Sequence, residues 1–179
     1  MNITTWTENY TEEEFKAFHA KLISEAHSEY LIHLNKLATA FENFLSYRGS
    51  VEDTVRSMRE RLPYGDGWVG FMSDAFKEVE VAKERVSAAN YVYNRIKVYN
   101  KPASMAWLQF AADQSYENSL ERVIKIFDSA KNSLDDLKRK ELPSNVSWIE
   151  DSANEICEVN YNRYVVELME KIFYKCVYS

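Results

Sequence analysis

Between Trp68 and Ile96 the apolar residues recur at alternating steps of four and three: Trp68, Met72, Ala75, Val79, Ala82, Val86, Ala89, Tyr93 and Ile96. A strand cannot use that spacing, because its side chains alternate between two faces. A helix keeps the whole series on one seam, and the alternation of large and small residues suits knobs-into-holes packing at a shallow crossing angle. A seam this long needs a partner of similar length, so the rest of the chain is expected to supply further long helices.

It does so by the same logic. Thr11 followed by Glu12, Glu13 and Glu14 is a helix start, with Glu14 at the capping-box position. Phe15, Phe18, Leu22, Ala26, Tyr30, Leu34, Leu37, Phe41 and Leu45 then form a stripe, and Arg48-Gly49 is expected to end it with Gly49 left-handed. Val51, Val55, Met58 and Leu62 predict a short amphipathic helix that Pro63 stops. Asn100-Lys101-Pro102 breaks the seam helix. Ala106, Phe110, Tyr116, Leu120, Val123, Phe127, Ala130, Leu134 and Leu137 are the expected inward stripe of the next helix. Asp113 interrupts it, either as a buried register-fixing group or as a slip of the stripe, and the slip is the reading adopted. Pro143 marks the break before the last helix, and Ser147 with Glu150 reads as another capping box. The last helix has a broad apolar set: Ile149, Ala153, Ile156, Tyr161, Tyr164, Leu168, Ile172, Phe173 and Cys176, with Val165, Val166 and Met169 beside them. That breadth implies deep burial or a partner.

The predicted fold is therefore all-α: an elongated antiparallel four-helix bundle with one extra short helix. The helices fall at about 11–48, 50–62, 68–100, 103–140 and 147–178 in a single domain over 1–179. Four glycines and three prolines are too few turn residues for a sandwich, barrel or Rossmann-like fold. No internal repeat is evident.

Composition then excludes partners and chemistries. A formal charge of −6 does not suit a nucleic-acid binder, and Lys138-Arg139-Lys140 complements the negative end of a helix dipole instead. No apolar run is long enough for a membrane span, and the opening MNITTWTENYTEEEF has neither the basic nor the apolar region of a secretory signal. A cytoplasmic location is expected. Cys157 and Cys176 on one helix would stand about 28 Å apart, far beyond disulfide reach, and read as buried free thiols.

A di-iron bundle needs Glu-x-x-His on two helices, and none of His19, His27 and His33 has Glu three residues before it. All three lie on the first helix, where Glu29 and His33 could pair at i, i+4. No G-x-S-x-G elbow and no phosphate-cradling glycine loop occurs. No metal, no cofactor and no catalytic residue is expected.

The connection Pro63 to Phe76, PYGDGWVGFMSDAF, holds three of the four glycines. As a plain turn, Gly65 and Gly67 would supply positive φ, Asp66 would cap the next helix, Trp68 would close the bundle end and Gly70 would admit another backbone. Trp68-x-Gly70 followed by Ala75-Phe76 also resembles the turn of WXG100 proteins, helical hairpins exported by ESX-type systems. That resemblance spans about ten residues and implies two long helices joined at the motif and export from the cell. The family's Tyr-x-x-x-Asp/Glu signal does not follow the second helix; Tyr10 to Glu14 has its spacing at the other end.

Surface aromatics are enriched where proteins meet. Tyr64, Trp68, Tyr91 and Tyr99 are the candidate partner-binding residues, although Tyr91 and Tyr99 would serve equally to pack neighbouring helices. The function expected is a non-catalytic protein-binding module, an inhibitor, immunity-type factor or adaptor acting through an exposed helical face. A WXG100-like exported factor and a carboxylate-based enzyme are the alternatives, and a homodimer is open.

Overall fold

The computed structural model describes residues 10–143 and 146–178. Five helices account for nearly all of them: α1 Glu12–Leu45, α2 Arg48–Arg59, α3 Trp68–Val98, α4 Pro102–Lys138 and α5 Trp148–Tyr178. The chain is an all-α, antiparallel four-helix bundle of long helices with α2 as the extra short one. At 1.5 Å per residue α4 alone is about 55 Å long.

Local signals set most of the boundaries. The Thr11–Glu14 capping box forms, with the Glu14 N–H donating to Thr11 Oγ1 at 3.3 Å and the Thr11 N–H to Glu14 Oε2 at 2.8 Å. Pro102 occupies the first turn of α4, where its missing N–H costs nothing. The α3 seam is confirmed: Ala75, Val79, Ala89 and Ile96 are buried, and the others on it are half-buried.

The glycines behave differently from expectation. No glycine has positive φ. Gly49 lies inside α2, and the chain bends earlier, at Ser46-Tyr47. Gly65 and Gly67 are not left-handed, Asp66 makes no side-chain cap, and a Cβ on Gly70 would meet open space rather than a neighbouring backbone. Among the described residues, the left-handed positions belong to Arg61 at φ 58° and Lys140 at φ 59°. Each closes a Schellman motif: Leu62 N–H donates to Ser57 O at 2.8 Å and Glu141 N–H to Asp136 O at 3.0 Å. A Cβ is strained there, so Arg61→Gly and Lys140→Gly are each expected to stabilise by about 0.5–1 kcal/mol in urea unfolding. A loss of stability at both sites would contradict that reading.

Two antiparallel hairpins emerge. The first is α1–α2–α3, where Phe44 meets Phe76 near the tip and His19 meets the Ile96 carbonyl near the base. The second is α4–α5, tied by Arg122 to Glu155 and by Asn162 to the Ser115 carbonyl. They share one core at their base, built from Phe15 to Ala26 of α1, Ala88 to Ile96 of α3, Met105 to Ala112 of α4 and Val165 to Cys176 of α5. From that base both hairpins run outward, and their outer halves expose large apolar side chains such as Leu45, Phe71, Phe127 and Ile149.

The hairpins repeat each other, contrary to the reading that no repeat exists. Leu62-Pro63 and Trp68 recur as Leu142-Pro143 and Trp148 at an offset of 80. Trp68 Nε1 donates back to Thr54 Oγ1 at 3.3 Å, and Trp148 Nε1 to Ser133 Oγ at 3.1 Å. Buried positions correspond as well: Ala88 with Leu168, Ala89 with Met169, Val92 with Ile172 and Ile96 with Cys176.

The stripe expected on α4 is displaced. Met105, Leu108, Ala112 and Ser119 face inward, whereas Phe110, Leu120, Phe127, Leu134 and Leu137 are exposed. Asp113 is exposed beside buried Ala112, as a slipped stripe requires. The broad face of α5 is buried only in its second half, where α1, α3 and α4 surround it.

Candidate functional site

The helix α2 is strongly amphipathic yet buries none of its residues and, among the described residues, packs closely on no other helix. Its charged side pairs internally, Arg48 with Glu52 at 2.7 Å and Arg56 with Asp53. Its apolar side presents Val55, Met58 and, just beyond the helix, Leu62 and Tyr64 to solvent. Trp68 stands behind this tip. Its indole N–H reaches both Thr54 Oγ1 and the Gly65 carbonyl at 3.2 Å, so it anchors the connection while remaining half-buried.

Tyr64 and Trp68 thus share the outer tip. Tyr91 and Tyr99 lie at the base, packed against the core, with Arg95 over the Tyr91 ring at 5.2 Å and Trp107 beside Tyr99 at 6.1 Å. Trp68 and Tyr91 are about 35 Å apart along α3, so the four do not form one patch.

Where the hairpins begin to part, a polar cluster joins α1, α3 and α5. Glu29 is 1% exposed and accepts from Lys171 Nζ at 2.8 Å and Lys175 Nζ at 2.9 Å. Burial alone would raise its carboxyl; the two ammonium groups outweigh that and hold it below the ordinary glutamate value. His33, one turn on, is buried and hydrogen-bonded to the Tyr164 hydroxyl, with Arg85 over the Tyr164 ring at 5.4 Å. Burial, and then Lys36 nearby, push the His33 imidazole toward its neutral form, and burial raises the Tyr164 phenol. Glu29 therefore pairs with lysines rather than with His33. His19 bonds the Ile96 carbonyl at 2.6 Å, and His27 lies against Tyr93.

Outward from this cluster an open groove runs between α1 and α3. Ala40, Val81 and Ala82 form its floor, and Lys36, Lys77 and Arg85 stand at its rim. Periodicity misses both features, because Glu29 and His33 occupy inward positions with polar side chains and the groove depends on how two helices pack. The one available signal is their spacing of three and seven from buried Ala26.

Cys176 is buried with its thiol pushed up to about 11, chiefly by that burial, whereas Cys157 is exposed, contrary to expectation. No cluster of three or more His, Cys, Asp or Glu residues able to hold a metal ion occurs among the described residues. No helix among them is long and apolar enough to cross a membrane.

The chain matches no family model, and neither a curated protein nor a solved structure matches it significantly.

Proposed function

We propose that the protein is a non-catalytic binding module that docks another protein on the tip of its first hairpin, as an inhibitor, immunity-type factor or adaptor would. The observation that carries this reading is α2: an amphipathic helix that leaves the apolar side chains Val55, Met58 and, just beyond it, Leu62 exposed. A helix held in that pose leaves its apolar surface in water, a cost that a docked partner relieves. Helix-in-groove recognition uses such rows at three-and-four spacing, and Val51, Val55, Met58 and Leu62 have it. The bent junction at Ser46-Tyr47 sets α2 off from α1 and presents the row.

A photo-crosslinking residue at Val55 tests this in lysate of the native host, with mass spectrometry as the readout. One discrete protein should be captured, and Met58→Glu with Leu62→Glu should abolish the capture while circular dichroism stays unchanged. Equal capture by the charged variant, or none by either, would defeat the proposal.

A further inference from the structure

We propose that two copies of the chain form a two-fold dimer in which the outer half of α4 from one copy lies in the α1–α3 groove of the other. This surface is separate from the α2 tip.

The groove and the strip on α4 are complementary in kind. The groove has a small apolar floor, Ala40, Val81 and Ala82, below cationic Lys36, Lys77 and Arg85. Lys36 and Arg85 have no ion-pair partner among the described residues, and Lys77 has only the exposed Asp74 at 3.0 Å. A cationic rim in a chain of charge −6 calls for an acidic occupant. The outer half of α4 carries one. Leu120, Ile124, Phe127 and Leu134 lie exposed along it, Phe127 to 67%. Projected at about 100° per residue, Glu117, Glu121 and Asp128 fall along one edge of that strip, and none of the three has an ion-pair partner among the described residues. The exceptions also match: Lys131 sits within the strip, and Glu78 within the groove, held by Asn43 at 3.4 Å.

The fold itself supplies the precedent. At the base, this chain covers the apolar face of one hairpin with its second, repeated hairpin, burying corresponding positions in one core. The outer halves lack that cover. In a two-fold dimer the groove-to-strip contact is made twice, once in each direction, which closes the assembly.

Sedimentation velocity over a range of concentrations tests this with the full chain. A species of twice 21.0 kDa is expected, weakening as salt is raised. Lys36→Glu with Lys77→Glu reverses the rim; Glu117→Lys with Glu121→Lys reverses the strip. Each double variant should dimerise at least about tenfold more weakly, since each contact then sets like charges together. An equimolar mixture of the two variants should recover wild-type affinity, because both contacts in the mixed dimer are again of opposite sign. Circular dichroism confirms that each variant is folded. A wild-type monomer at about 100 µM, the weak end of specific association, would overturn the proposal and leave the groove to a foreign acidic segment. Variants that dimerise like wild type, or a mixture that stays monomeric, would overturn it equally. Met58→Glu with Leu62→Glu should leave the dimer intact, which separates this result from the fate of the α2 reading.

Discussion

Replacing Lys171 and Lys175 together with methionine is expected to cost about 3–5 kcal/mol of stability at neutral pH. The lysines are themselves about half exposed, so on their own they look like minor surface pairs. Their partner is not: both Glu29 carboxylate oxygens are spoken for by these two ammonium groups, and the side chain is inaccessible. Without the lysines, a carboxylate remains buried with its charge uncompensated. The pH dependence should then reverse. In the natural chain the carboxyl is held below its unfolded value, so its stabilisation is present above about pH 4.5 and is lost as pH falls through the folded value. In the variant, burial without the lysines raises the carboxyl, so acidification relieves the defect. Adding Glu29→Met should recover most of the loss, because an apolar trio replaces a buried ion pair at little cost. Urea unfolding at pH 7 and pH 4 measures all three quantities, and a loss below about 1 kcal/mol for the lysine pair would refute the account.

Ile172→Ala is expected to cost about 2–5 kcal/mol, and Phe71→Ala less than about 0.5 kcal/mol, although phenylalanine is the larger side chain. Ile172 is fully inaccessible within the shared base, where α5 is enclosed by three helices, so truncation leaves a cavity. Phe71 is 67% exposed on the outer half of α3. The pair tests whether the base alone carries the core. Equal losses at the two sites would mean that the outer halves are covered too, and that the separation of the hairpins is wrong.

Spacing revealed the helices and most of their ends, because capping at Thr11, the proline breaks and the α3 seam are local properties. It misjudged which face of α4 turns inward. Phe110, Leu120, Phe127 and Leu134 are the larger apolar residues and dominate any count, whereas the buried side uses Met105, Leu108, Ala112 and Ser119. A periodic stripe reports side-chain type, and over half of a long helix type and burial part company when no neighbour is present. The stripe on α1 is fully buried only as far as Ala26; Tyr30, Leu34 and Leu37 are half-buried, Phe41 and Leu45 are exposed, and Glu29, His33 and Ala40 take the fully buried places. In the second hairpin the corresponding positions are Leu108 and Ala112, so the polar cluster is a substitution within a repeated frame.

The repeat itself was hidden by one residue. Arg61 and Lys140, the left-handed caps, stand 79 apart, whereas Trp68 and Trp148 stand 80 apart. The extra position falls within Glu141-Leu142, and it throws the helices before and after each turn out of register in any simple comparison. Within the helices the two halves share inward positions more than residue types.

Residues 99–101 link the two hairpins. Each hairpin closes at its own tip, so this short stretch serves as a tether between two halves that meet in one core. Its main contribution is a high effective concentration of one half about the other. Cutting it would turn an intramolecular docking into a bimolecular equilibrium between fragments, each carrying an intact turn and half of the base.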